Sequence, residues 1–254
     1  MIEAVAPFLP PDLSGEVVAL LLGMSFVGSL ITVAFGIGGG ALLLAVMAVT
    51  MPPLALIPVH GVVQVGSNLG RAVLFVRHTF WPAVPWFAAG SLIGVAVGGN
   101  IAVSIEPWVV QMGVGLFVAW SVLARPPAWL SRWPLVTGVI SSFLSMFFGA
   151  TGVFVANFSK SLNLPRHNHV ATHATLMTIQ HLLKSLAFGV LGFAYGPWLP
   201  FIAAMIAMGV VGTVVGGSVL KRMTDARFHK ALDIVLLLIS ARLIWSGASA
   251  ALAP

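Results

Sequence analysis

Phe35-Gly36-Ile37-Gly38-Gly39-Gly40 opens a short apolar run, and Phe148-Gly149-Ala150-Thr151-Gly152 opens another 113 positions later, counted from Phe35 to Phe148. The same shift carries Pro52 onto Pro165, His60 onto His173, Arg71 onto Lys184 and Phe75 onto Phe188. Past a short insertion near 190–197 the shift becomes 118, and Pro82 meets Pro200, Gly94 meets Gly212, and Gly98-Gly99 meets Gly216-Gly217. The chain is an internal duplication, and it carries paired cations into apolar sequence. That combination points to a transporter for an anion.

Composition narrows the class. Only 7% of the 254 residues are charged and 59% are hydrophobic, with a mean hydropathy of +1.06. Soluble chains run near a quarter charged, so the solvent of this chain is a lipid bilayer, with no room left for a soluble domain. The net charge of +6 then reports topology, and no Lys/Arg cluster interleaved with aromatics suggests nucleic-acid binding. The absence of cysteine excludes disulfides, thiolate metal sites and a Cys nucleophile. Residues 1–16 contain Glu3, Asp12 and Glu16 but no basic residue, so no secretory signal is expected.

Apolar runs fall at 17–35, 39–50, 54–76, 80–104, 107–124, 134–149, 152–163, 169–193, 197–220 and 229–250. The expected fold is all-α and polytopic, with two inverted-topology repeats of about five helical segments each. The domains are a periplasmic lead 1–16, repeat one at 17–124, a cytoplasmic linker 125–133 and repeat two at 134–254. Crossing the hydrocarbon takes about 20 helical residues, so 39–50 and 152–163 are short or re-entrant. Short, Gly-interrupted segments at matching places in two halves mark a transporter's binding site. With the N-terminus outside, Arg77, Arg125, Arg132, Arg166, Lys221, Arg222, Arg227 and Lys230 all fall on the cytoplasmic side, and the outer loops hold Glu106 and no Lys or Arg. The positive-inside rule thus sets both termini on the outer side of the membrane. Five runs per half is an odd number, so the second half is inverted.

Three groups of residues carry the expected chemistry. The glycines at 38–40, and Thr151 with Gly152, precede helices whose free N–H groups and positive dipole ends suit an anion. Arg71 follows Ser67 and Asn68 by one turn, as Lys184 follows Gln180 and His181, so each cation shares a helix face with polar neighbours. A cation at mid-depth calls for a cavity or a counter-charge, although Arg71, close to Arg77, has the alternative of snorkelling to the surface. No Asp or Glu lies inside the runs; Glu106 and Asp233 sit near their ends, and Arg242 is mid-run without an evident partner. The expected substrate ligands are Gly38, Gly39, Gly40, Ser67, Asn68, Arg71, Thr151, Gly152, Thr172, His173, Gln180 and Lys184. His60, His173 and His181 are candidates for proton coupling, whereas His167 and His169 read as loop residues. The spacing of His173 and His181, without a carboxylate, is poor for chelation, so no metal and no cofactor is expected.

The glycine string, followed by Pro52-Pro53-Leu54, His60 and Ser67-Asn68 and then repeated, resembles the TauE/SafE permeases, the sulfite exporter or toluene-sulfonate uptake family. The resemblance covers about 25–250. It implies transport of sulfite, sulfonates or related organosulfur anions across a bacterial inner membrane. The second half departs from the pattern, with Gly149-Ala150-Thr151-Gly152 in place of a fuller glycine string.

The expectation is therefore a transporter for a small sulfur oxyanion, working as an exporter, with the bilayer and the small anion as its partners. A passive anion channel shares these sequence features. An intramembrane lipid-pyrophosphate phosphatase also uses inverted repeats, but that chemistry wants interior carboxylates, which the runs lack. No Gly-x-Ser-x-Gly elbow is present either, so the chain is not read as an enzyme.

Overall fold

The computed structural model describes residue 10 and residues 12–35, 38–102, 105–124, 132–219 and 225–252. Gly36-Ile37, most of the linker at 125–131, and the connection 220–224 with Lys221 and Arg222 lie outside the described residues. Ten α-helices and no strand are found among the described residues. They are α1 (Gly15–Phe35), α2 (Gly39–Thr50), α3 (Pro53–Leu74), α4 (Val84–Ala102), α5 (Pro107–Leu123), α6 (Pro134–Phe148), α7 (Gly152–Ser161), α8 (Arg166–Val190), α9 (Leu199–Val219) and α10 (Asp225–Leu252).

Local sequence sets many of the boundaries. Proline at the first helical position starts α3, α5 and α6, where its fixed φ is an asset and its missing N–H costs nothing. α6 stops at Gly149, whose φ of +73° favours glycine. Gly38 precedes α2 with φ +103°. The two short apolar runs are indeed short helices, α2 with 12 residues and α7 with 10. His167 and His169 are not loop residues. Pro165 caps α8, which begins at Arg166, because extended pre-helical backbone at proline hands over directly to the helix.

Four stretches are long and apolar enough to cross a membrane: Gly15–Val33, Trp81–Ala102, Gly196–Gly216 and Leu232–Leu252. Their outer faces expose Leu92, Ile93, Val97, Val214, Leu238 and Trp245, as lipid demands. α3 and α8 pack against each other at the centre and carry the buried polar side chains. Around them α4 packs on α6, α9 on α1, and α10 on α5. The α4–α6 and α1–α9 crossings are close because they are made of small residues. A Cβ at Gly94 would run into the Val139 carbonyl, and one at Gly212 into the Phe26 carbonyl. At Gly98 and Gly216 it would come within 3.1 Å of the Phe143 carbonyl and of Leu30 respectively. Phe26 and Leu30 shifted by 113 are Val139 and Phe143.

Candidate functional site

The two short helices, each folded back on the helix before it (Gly39 on Gly28, Thr151 on Ser141), begin at a cavity of about 210 Å³. Its walls take Gly38, Gly40 and Ala41 from the start of α2, and Ala150, Gly152 and Val153 from the start of α7. α3 contributes His60, Gln64, Asn68 and Arg71, and α8 contributes His173, Met177 and His181. Thr32 of α1, Ser121 of α5 and Asp233 of α10 complete the polar lining. Neither α2 nor α7 has a side-chain cap. First-turn N–H groups have no partner within their own helix, so both starts offer donors and a positive dipole end to whatever enters.

Arg71 is the cavity's cation. It is 8% exposed, so it does not snorkel. One guanidinium nitrogen donates to Asn68 Oδ1 at 2.9 Å, and its buried Nε has no partner. Asn68 is itself held by donation to the Gln64 carbonyl at 2.8 Å. Gln64 Nε2 lies 3.3 Å from His60 Nε2, and that ring nitrogen stands 3.1 Å from the Gly40 carbonyl; a protonated Nε2 donates to Gly40, and an unprotonated one accepts from Gln64. A polar line thus runs along one face of α3 from Arg71 to the α2 start, and it fixes the guanidinium.

The second half repeats part of this. His173, 113 positions after His60, lines the cavity together with Gly152 at the start of α7. The His60 and His181 rings meet edge to face, 6.0 Å between centroids. Nδ1 of His60, Nδ1 of His181 and Nε2 of His173 are buried without partners. Among the described residues no group of three or more His, Cys, Asp or Glu could hold a metal ion.

The expected ligands separate into two sets. Gly38, Gly40, Asn68, Arg71, Gly152 and His173 come together on the cavity, with His60 and His181. Gly39, Ser67, Thr151, Thr172, Gln180 and Lys184 do not line it. Thr151, Gln180 and Ser141 form a closed bracket. Ser141 Oγ donates to Gln180 Oε1 at 2.7 Å, Gln180 Nε2 donates to Thr151 Oγ1 at 2.8 Å, and Thr151 Oγ1 donates to the Ser141 carbonyl at 2.9 Å. Thr172 Oγ1 accepts the Phe80 N–H at 2.9 Å and pins the connection between α3 and α4. Ser67 Oγ stands 3.4 Å from Ser29 Oγ, facing α1. Gly39 packs on Gly28, backbone to backbone. Lys184 is fully buried and donates to the Gly149 carbonyl at 3.3 Å.

Sequence reasoning missed Gln64, Met177 and Asp233. Gln64 and Met177 are themselves a repeat pair, 113 apart, one turn past His60 and His173; helical spacing from the histidines was the signal that could have found them. Asp233 sits near a run end, as its position suggests, but its place on α10 brings it to the cavity wall.

A multi-pass membrane protein, helical throughout its described residues, with a polar cavity at the starts of two short folded-back helices fits the class of small-solute transporters. The chain belongs to the sulfite exporter TauE/SafE family, whose model matches residues 20–243. That is a family of transporters rather than enzymes. No curated protein and no solved structure matches the chain.

Proposed function

We propose that this protein carries sulfite or a small organosulfonate out of the cell, binding it in the cavity between the starts of α2 and α7. The observation that carries this reading is Arg71: a buried guanidinium with an unpartnered Nε, opening onto a cavity where two uncapped helices begin. Charge-assisted donors converging from several directions replace the hydration of a tetrahedral or pyramidal oxyanion. At about 30 Å³ per water, a 210 Å³ cavity holds such an anion with a few waters.

The two halves, 17–124 and 134–254, act as inverted repeats with both termini periplasmic. The matched α4–α6 and α9–α1 crossings support the repeat, and the one-sided distribution of Lys and Arg supports the orientation. In that orientation Arg71, Ser121 and Asp233, all near the cytoplasmic ends of their helices, make this cavity the inward-facing one.

A second reading, uptake by proton symport, draws on the three histidines in the cavity wall. Calorimetry on purified protein with sulfite, sulfate and methanesulfonate tests the site. Arg71→Ala is expected to weaken sulfite binding roughly ten- to a hundredfold, the loss of one charge-assisted donor. Unchanged affinity in that variant would remove the cavity from consideration.

A further inference from the structure

The Arg71 cavity has a neighbour of about the same volume, 210 Å³, toward the other end of the same helices. Along α3, His60 faces the first cavity and Ile57 the second. Where α6 gives way to α7, Ala150 faces the first and Met146 the second. Along α8, His181 faces the first and Phe188 the second, and Lys184 sits between them, about one turn from each.

Gly149 stands between the linings of the two cavities: its neighbour Ala150 faces the first, while Ile57, which it packs against, faces the second. Gly149 has φ +73°, and a Cβ there would come within 2.9 Å of Leu44 and 3.1 Å of Ile57. Lys184 donates to the Gly149 carbonyl at 3.3 Å. Its Cε fills the space beside Gly61, where a Cβ would lie 3.0 Å away.

Arg71 and Lys184 are partners under the duplication, yet they stand in different states. One faces a cavity. The other is 0% exposed, with a single neutral acceptor at 3.3 Å. A lone carbonyl is meagre compensation for an ammonium withdrawn from water. The arrangement is reasonable if another conformation gives Lys184 an anion. In a protein made of two copies of one design, the second conformation follows from exchanging the states of the copies.

We propose, resting on the anion-transport reading above, that Lys184 is the substrate-facing cation of the outward-open conformation. Its bond to the Gly149 carbonyl is the latch that keeps the two cavities apart in the inward-open one. When the latch opens, the ammonium turns from the carbonyl to the anion as the path to the second cavity clears, and the Arg71 side closes.

The test uses a single cysteine, Ala150→Cys, in this cysteine-free chain. Ala150 lines the first cavity immediately beyond the latch. A membrane-impermeant thiol reagent is applied to intact cells and, separately, to inside-out vesicles. With Lys184 intact, labelling is expected in the vesicles and protection in the cells. Adding Lys184→Met or Lys184→Gln is expected to raise labelling of intact cells roughly tenfold or more, the effect of losing one charge-assisted hydrogen bond. Two neutral variants are used so that a folding defect in one leaves the other to decide. Arg71→Met should leave intact cells protected.

Continued protection in both Lys184 variants would overturn the latch, as would equal exposure in Arg71→Met. Lys184→Met should also bind sulfite within about threefold of the parent in detergent, where Arg71 faces the cavity, yet export it poorly from proteoliposomes. Normal export would overturn the substrate role. The labelling contrast needs no ligand. If the parent protein binds neither sulfite nor methanesulfonate, the anion reading fails, and Lys184's substrate role with it, while the latch stands or falls on the labelling.

Discussion

Thr151 and Gln180 stand beside the cavity without facing it, and they show how a polar pair can support a site it never touches. With Ser141 they hold the α6–α7 break against α8 through three short hydrogen bonds. Their first-half counterparts, 113 positions earlier, are Gly38, Ser67 and Gly28. There the equivalent job is done by close packing: a Cβ on Gly39 would run into the Gly28 carbonyl and Thr32 Oγ1. This explains why the glycine string is fuller in the first half than in the second. One break is held by backbone contact, which excludes side chains, and the other by hydroxyl and amide groups, which require them. Thr151→Val keeps the shape and removes the hydroxyl, leaving the buried Gln180 Nε2 without its acceptor. We expect a loss of about 1–3 kcal/mol in stability, read by thermal unfolding in detergent, with sulfite affinity within about threefold of the parent. A tenfold or larger loss of affinity with unchanged stability would mean that Thr151 binds substrate directly.

At the scale of elements, two close crossings are made through glycine. Gly94 on α4 meets α6, and Gly212 on α9 meets α1, each against a main-chain carbonyl. In lipid no hydrophobic force drives helices together, so close backbone approach supplies much of the association. Leucine at either glycine has to push two backbones apart. Gly94→Leu and Gly212→Leu are each expected to cost on the order of 3 kcal/mol, with similar falls in the thermal midpoint. Leu92→Ala, on the exposed face of α4, should shift it little. A large fall for one glycine and none for the other would argue that the two crossings are not equivalent. Much at this level was legible in the chain. Ten apolar runs became ten helices, and the two short ones stayed short, because hydropathy and glycine placement act locally. Less of the site was legible. The sequence puts Arg71 and Lys184 in equivalent positions, but which cation meets the cavity depends on the conformation of the whole bundle. Likewise nothing in the neighbourhood of Asp233 announces that α10 turns it toward a cavity built by other helices.

For the whole molecule, the charge carried through the wall decides what can drive transport. The described lining of the Arg71 cavity holds Arg71, three histidines and one carboxylate, Asp233, near the end of a span. Sodium sites want several hard oxygen ligands, and a single carboxylate near the mouth supplies few. An inside-negative potential pushes an anion outward with about 2.3 kcal/mol per charge per 100 mV. For a monoanion such as hydrogen sulfite, that sustains roughly a fiftyfold outward gradient per 100 mV, at 1.4 kcal/mol per factor of ten. Export of a monoanion thus needs no co-ion, whereas uptake needs protons, a role proposed for His60, His173 and His181 in the cavity wall. Proteoliposomes with an imposed potassium diffusion potential separate the two. We expect a positive interior to draw sulfite in, at a rate nearly independent of sodium, because the translocated complex then carries net negative charge. If entry ignores the potential, follows an inward proton gradient and is lost in His173→Ala, the complex is electroneutral. The histidines would then be the coupling groups and the direction would be inward.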